Sequence, residues 1–186
     1  MSTATRVSPS RTSLTAFTAL RAAAAGALAV VVTFSADHTP SFGLAVFGVF
    51  AVVSGVIVAA GARTLAVTRT GRLLMVLRAL VLLVVGVLAV TLVGGGIGTL
   101  LTLEIVGFLG AGALEVLSGL RRADASVASR DLVTVGGLEM VVGAMLIIIL
   151  PDSLFAVGVL SAWGAVVAVY LGIAAVSIAR REGGVR

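Results

Sequence analysis

The stretch from Leu132 to Leu150 reads LVTVGGLEMVVGAMLIIIL, is followed by Pro151-Asp152, and contains one ionisable residue, Glu139. A run of this length matches the requirement for a helix that spans a bilayer, about 20 apolar residues. A charge inside such a helix is costly, so its side chain normally faces a partner or water. The stretch therefore predicts a transmembrane helix with one acid directed into a helix bundle.

The composition of the whole chain extends this prediction. Hydrophobic residues make up 60% of the 186 residues and charged residues 11%, whereas soluble domains contain roughly 25% charged residues. The chain is therefore predicted to be an all-α integral membrane protein. Its length suffices for one bundle, and we expect no second domain.

Several function classes are disfavoured by what the sequence contains. There is no Cys and only one His, His38, so thiol chemistry and a multi-histidine metal centre are not expected. All 13 basic residues are Arg and fall mainly between apolar runs, which indicates membrane topology instead of nucleic-acid binding. No phosphate loop or nucleophile triad is present. We predict a non-enzymatic protein with no cofactor, whose main partner is the lipid bilayer.

The apolar runs predict six transmembrane helices in one domain over residues 14–180, preceded by a disordered tail, 1–13, and followed by a short tail, 181–186. Arg21 interrupts the first run, and we expect it to snorkel to the headgroups. The predicted helices cover residues 14–36, 42–62, 73–93, 99–120, 132–150 and 154–179.

Two parts of this scheme have alternatives. The first run also resembles the basic and apolar regions of a cleaved signal peptide, although Phe34-Ser35-Ala36 lacks a small-x-small cleavage pattern. The segment between Arg72 and Arg121 fits either two helices that turn at Gly94-Gly95-Gly96, or one helix over 79–103 plus a non-spanning piece. Both of its flanks are rich in Arg, and Arg-rich loops are cytoplasmic, so the number of crossings is even and the two-helix form is favoured.

The same rule orients the protein. The outer turns contain only Asp37, His38, Asp152 and glycines as notable polar or flexible residues, while the Arg-rich connections lie at the other helix ends. We therefore predict three hairpins, about 14–62, 73–120 and 132–179, in a bacterial inner membrane with both termini in the cytoplasm.

The hairpins show signs of an internal repeat. Gly26 and Gly55 are 29 residues apart, as are Gly143 and Gly172. Moving the first pair by 117 positions superposes it on the second, and the same move places Arg63 on Arg180. With Gly137-Leu138-Glu139 and Pro151, this pattern resembles the HdeD-like acid-resistance membrane proteins. The resemblance implies six helices in three hairpin repeats and a role in acid or envelope stress, with no catalytic residues to carry over. The glycine turn at 94–96 lacks the proline usual in that family.

Four ionisable residues fall well inside predicted helices, and Arg21 is a borderline fifth: the four are Arg78, Glu104, Glu115 and Glu139. From the 1.5 Å rise per residue, Arg78, Glu115 and Glu139 lie about 8 to 12 Å from the inner helix ends. We therefore predict that Arg78 pairs with Glu115, Glu139 or both. The cluster either fixes helix register or forms the polar site of a small proton-linked transporter or channel. Glu104 lies on nearly the same face as Glu115 but in the outer half, where we expect it to be hydrated. The alternative is that the two acids line a polar path.

Other polar and small residues have simpler interpretations. Asp37 and His38 are expected to be solvated turn residues, with pH sensing by His38 as the alternative. Trp163 is expected to pack in the core or against lipid. Two stripes of small residues predict helix packing inside the bundle, with a homo-oligomer face as the alternative. These stripes are Ala51, Gly55 and Ala59 on the second helix and Gly164, Ala168 and Gly172 on the sixth.

Overall fold

A computed structural model describes residues 11–64, 68–121, 127–148 and 151–183. Within those ranges the chain is entirely helical apart from its turns, and each of the six helices is long and apolar enough to cross a membrane. The prediction of an all-α protein with six helices of membrane-spanning length is therefore confirmed. The helices are α1 (Arg11–Phe34), α2 (Pro40–Thr64), α3 (Arg69–Thr91), α4 (Ile97–Leu120), α5 (Val127–Ile148) and α6 (Ser153–Gly183).

The middle of the chain forms two helices, so the alternative of one helix over 79–103 is wrong. Helix α3 ends at Thr91, the turn contains a hydrogen bond from Gly95 N to Leu92 O, and α4 begins at Ile97. At the chain ends, α1 begins three residues before the predicted start and α6 continues to Gly183. The rest of the two predicted tails, residues 1–10 and 184–186, lies outside the described residues.

Capping residues set the beginnings of three helices. Thr39 precedes Pro40 and accepts a hydrogen bond from Phe42 N, and Thr68 accepts one from Gly71 N in the same way at α3. Asp152 accepts from Phe155 N at 2.8 Å at the start of α6. Each of these side chains satisfies a backbone donor that has no partner within its own helix.

The six helices pack in three close pairs. The most extensive contacts are between α1 and α6, between α4 and α5, and between α2 and α3, whereas α1 with α2 and α5 with α6 touch much less. Helices α2, α4 and α6 also contact one another, so they line the centre of the bundle.

Glycines allow the close approach in each pair. A Cβ built at Gly86 on α3 would lie 2.9 Å from Gly48 O on α2, and one built at Gly136 on α5 would lie 2.7 Å from Gly112 O on α4. In the third pair, a Cβ at Gly164 on α6 would lie 2.9 Å from the carbonyl oxygen of Ala25. Membrane helices gain packing in this way because lipid supplies no hydrophobic force between them.

Hydrogen bonds add a polar link between α1 and α6. The hydroxyl groups of Thr33 and Ser161 lie 2.6 Å apart, and Ser161 is also within 3.2 Å of the carbonyl oxygen of Ala29. Helices α1 and α6, the pair with the most extensive contact, are therefore linked by a hydrogen bond between residues 128 positions apart in the sequence.

An aromatic layer fills the centre of the bundle. The ring of Trp163 lies edge-on to Phe108 and Phe50, with ring centroids 5.0 and 5.3 Å apart, and Phe108 also contacts Phe47 at 6.0 Å. Trp163 is 6% exposed, so it is a core residue. Edge-on aromatic pairs stabilise beyond the area that they bury.

The small-residue stripes pack mainly inside the bundle. Ala51 is completely buried, and a Cβ built at Gly55 would lie 2.8 Å from Leu83 Cγ. On α6, Gly164 contacts α1 and the Cβ of Ala168 faces Gly26, whereas no atom lies within 4 Å of a Cβ built at Gly172. Large apolar side chains remain exposed on every helix, which fits contact with lipid: Val30, Val56, Leu80, Val106, Val141 and Val169.

Candidate functional site: a buried charge cluster

Four charged residues from four helices meet in the interior of the bundle. Arg78 Nη2 on α3 lies 2.8 Å from Glu139 Oε1 on α5 and 2.6 Å from Glu115 Oε2 on α4. The other oxygen of Glu115 lies 2.6 Å from Arg21 Nη2 on α1. We call Arg21, Arg78, Glu115 and Glu139 the charge cluster. The three residues predicted to meet do lie together, with Arg21 as a fourth member.

Helix packing brings these side chains together. Gly112 and Gly136 let α4 and α5 approach closely, and Glu115 and Glu139 each lie three residues after one of these glycines. The Cβ of Glu115 is 2.9 Å from a Cβ built at Gly136, and that of Glu139 is 2.9 Å from one built at Gly112. The glycine contact therefore places both acids at the α4–α5 crossing.

The cluster is buried and electrically balanced. The side chain of Glu115 is completely buried, those of Arg78 and Glu139 are 6% exposed, and that of Arg21 is 9% exposed. Two guanidinium groups offset two carboxylates. Because charges attract strongly in a low-dielectric interior, removing one partner of such a group leaves an uncompensated buried charge and is strongly destabilising.

The prediction that Arg21 snorkels to the headgroups is wrong. Its guanidinium contacts Glu115, and its Cζ lies 5.6 Å from the ring centroid of Phe17 on the preceding turn of α1. A cation over an aromatic face is attracted by the ring quadrupole. These contacts hold the side chain inside the bundle, where it contributes the second positive charge.

A small cavity adjoins the cluster. It has a volume of about 20 Å³ and is lined by Arg21, Arg78 and Glu139 together with residues of α2 and α6. A water molecule needs roughly 10 to 15 Å³ of such space and two to four polar partners. Arg78 Nε and Glu139 Oε2 are buried without a hydrogen-bond partner among the described residues. The cluster thus has room for about one water molecule and is otherwise closed by its own ion pairs.

A further polar contact connects α5 with α6. Tyr170 Oη donates a hydrogen bond to Asp131 Oδ1 at 2.9 Å, and Asp131 is only 9% exposed. The sequence did not predict this contact. Asp131 is eight residues before Glu139, a spacing that places the two acids on one side of α5, and this was the available signal.

The other candidate residues lie apart from the cluster. Asp37 is fully exposed in the α1–α2 turn, and the adjacent His38 is partly exposed. Thr39 N donates to Asp37 Oδ1 at 2.8 Å, and hydrogen bonds from the Thr39 backbone and side chain hold the Asp37 pKa below its ordinary value of 3.8. Asp37 and Thr39 therefore cap this turn.

Glu104 differs from its prediction. We expected a hydrated carboxyl group, but the residue is completely buried, and neither carboxyl oxygen has a hydrogen-bond partner among the described residues. This part of α4 is closed to solvent because the neighbours of Glu104 on the same helix face, Leu100 and Phe108, are also buried.

No family model matches this chain, and neither the curated proteins nor the solved structures contain a match. The fold and the burial pattern themselves define the class: an all-helical, multi-pass membrane protein with a charged group inside its bundle.

Proposed function

We propose that this chain is a non-enzymatic, multi-pass protein of the bacterial inner membrane, of the HdeD-like type, that contributes to acid or envelope stress tolerance. In this proposal the charge cluster is structural and fixes the register of the helices. The observation that carries it is that Arg78 contacts both Glu115 and Glu139, while Arg21 binds the remaining oxygen of Glu115.

The geometry of the cluster favours this role over a transport site. A site that takes up and releases a solute needs polar groups that face water or a cavity of solute size. Here the four charges bind one another, and the adjoining cavity holds about 20 Å³. An electrically balanced, closed group is suited to specifying how four helices pack.

We also propose the three-hairpin architecture, with hairpins over about 14–62, 73–120 and 132–179. Its support is that each of the three closest helix pairs joins different hairpins: α6 with α1, α2 with α3, and α4 with α5. All three contacts run through a glycine, at Gly164, at Gly48 with Gly86, and at Gly112 with Gly136. Three repeats related by an approximate threefold axis would produce this pattern of equivalent contacts.

The proposed topology places both termini in the cytoplasm. Its support is that exposed arginines flank the helix ends joined by the Arg-rich connections: Arg63, Arg69, Arg72, Arg121, Arg130 and Arg180. Because the chain contains no Cys, single cysteines report sidedness without a background. In intact spheroplasts, an impermeant maleimide is expected to label Ala36→Cys in the outer turn and to label Thr70→Cys only after permeabilisation. The opposite pattern would reverse the topology.

The function is tested in cells and in liposomes. A strain that lacks the gene is expected to survive acid exposure less well than its parent, and the wild-type chain on a plasmid should restore survival. Proteoliposomes with a pH gradient should show no more proton or solute flux than protein-free liposomes. Flux that is abolished by Glu139→Gln would contradict the proposal and assign the charge cluster to transport. Unchanged acid survival in the deletion strain would contradict the stress role.

A further inference from the structure

Glu104 is a buried acid that the charge cluster does not use. It lies on α4, 11 residues before Glu115, which corresponds to about 16 Å along the helix axis. Its side chain is completely buried, and no described residue offers either oxygen a hydrogen bond. It is therefore separate from the cluster and needs its own explanation.

Apolar layers close the space on both sides of Glu104. One turn toward the outer end, Leu100 is completely buried, and its side chain and that of Val157 lie within 2.8 Å of a Cβ built at Gly43. One turn toward the cluster, Phe108 packs on Trp163 and Phe47. Trp163 also lines the small cavity beside Arg78. The aromatic layer therefore stands between Glu104 and the charge cluster.

The surrounding helices offer Glu104 no counter-charge. The described titratable residues inside the neighbouring spans are Arg78, Asp131, Glu139 and Tyr170, and each contacts Glu115 or another of these four. The remaining arginines of those helices lie at their Arg-rich ends. Charge on Glu104 would therefore be buried without a partner. Burying an unpaired charge costs more free energy than the net stability of a typical folded domain.

A buried carboxylate can be neutralised by a proton or by a metal cation. Hard cations require about six or more oxygen ligands, and the described residues contain no group of three acidic, His or Cys side chains that could hold a metal ion. The nearest hydroxyl on the outer side of the same helix, Thr102, is exposed and donates to Gly98 O. A single proton is sufficient and requires no further ligand.

We propose that Glu104 is a proton-binding site: its carboxyl group holds a proton at neutral pH, in an apolar compartment that the aromatic layer separates from the charge cluster. The proton comes from water and adds to a carboxylate oxygen, which gives the neutral acid. This inference goes beyond the proposed function and does not depend on the stress role.

Infrared spectroscopy of the full-length protein in lipid nanodiscs at pH 7 tests the proposal. A protonated carboxyl group absorbs as a C=O stretch that is separate from the amide bands and shifts to lower frequency in D₂O. The wild type is expected to show this band, and Glu104→Gln is expected to lose it. Asp152→Asn, which changes an exposed turn acid, serves as the matched control and should retain it. A wild type without the band, or a band of undiminished intensity in Glu104→Gln, would overturn the proposal.

A second measurement needs no variant, in case Glu104→Gln does not fold. The chain contains four glutamates, so carbon-13 labelling of the glutamate side-chain carboxyl gives at most four resonances. One resonance is expected at the position of the neutral acid at pH 7. Four carboxylate resonances would overturn the proposal. Loss of the acid signal on addition of NaCl at constant pH would also overturn it, because a metal cation would then be the ligand.

Discussion

Arg21 Nη2 lies 2.6 Å from Glu115 Oε1, and this contact ties the first helix of the bundle to the fourth. The same carboxyl group uses its other oxygen to contact Arg78, so Glu115 is shared by two arginines. The total charge of the cluster is zero only when both arginines are present. Arg21 is therefore part of the charge balance of the cluster.

Arg21→Met is expected to destabilise the protein by about 3 to 5 kcal/mol, because it leaves one negative charge without compensation. The double variant Arg21→Met/Glu115→Gln restores neutrality with the Arg78–Glu139 pair intact, so it should recover part of this loss. The measurement is the thermal midpoint of the purified protein in detergent. Arg180→Gln, which changes an exposed arginine on α6, is the control and should lie within about 0.5 kcal/mol of the wild type. A double variant that is less stable than the single one would contradict this charge balance.

The same cycle applies to Arg78. Arg78→Leu removes the guanidinium that contacts both acids, so little folded protein is expected in detergent. Neutralising Glu139 in addition leaves Arg21 paired with Glu115, a neutral pair, and should partly restore the yield of monodisperse protein. Size-exclusion chromatography after equal expression gives the comparison. Normal yield of Arg78→Leu alone would show that the cluster does not hold the bundle together.

The sequence was sufficient to predict the number of helices and the meeting of Arg78, Glu115 and Glu139. Long apolar runs set the helices, and three charged residues at similar depth in a bundle interior are expected to pair with one another. The role of Arg21 was not predictable in the same way. An arginine near the start of a span either reaches the lipid headgroups or pairs with an acid inside the bundle. Which of the two occurs for Arg21 depends on the rotation of α1 about its axis. Packing against α6, at Gly164 and Ala25, sets that rotation.

Glu104 illustrates a second limit. Its distance from the helix end suggested contact with water, and depth along one helix is all that a single sequence provides. Burial depends instead on side chains from other helices, such as Phe47 and Trp163, which pack on Phe108 one turn from Glu104. Such long-range contacts leave no periodic signal on α4 itself.

The turn between α1 and α2 is expected to depend on pH through Asp37. The Asp37 pKa is lowered in the folded protein by hydrogen bonds from Thr39, so the ionised form stabilises the turn. That contribution is complete above the unfolded pKa of about 3.8 and is lost as the pH falls through the lower folded value. A carbon-13 NMR titration should give a pKa below 3.8 for Asp37. Thr39→Ala should move it back toward 3.8, and a pKa above 3.8 in the wild type would contradict the capping geometry.

The start of α6 is expected to depend on Asp152. This residue accepts the hydrogen bond from Phe155 N, so Asp152→Ala leaves a backbone donor unsatisfied and should cost about 0.5 to 2 kcal/mol. Asp152→Asn keeps an acceptor at the same place and should cost less. Hydrogen exchange at the amide of Phe155 provides the local measurement. Equal exchange in both variants would show that the cap does not protect this turn.

The adjacent glycines Gly136 and Gly137 provide the sharpest test of the helix packing. A Cβ at Gly136 would lie 2.7 Å from Gly112 O and 2.9 Å from the Cβ of Glu115, whereas no atom lies within 4 Å of a Cβ at Gly137. Gly136→Ala must therefore push α5 away from α4 and disturb the charge cluster, at a cost of about 1 to 3 kcal/mol. Gly137→Ala adds a better helix former in open space and should be neutral or stabilising, by up to about 1 kcal/mol.

Unfolding midpoints of the two variants in the same detergent measure this difference. A lower midpoint for Gly136→Ala with an unchanged or higher midpoint for Gly137→Ala is the expected result. Because the two variants differ by one position and carry the same added methyl group, composition and helix propensity cannot account for the contrast. Equal midpoints would mean that α4 and α5 do not cross at Gly112 and Gly136, and the position of Glu115 beside Arg78 would then need another explanation.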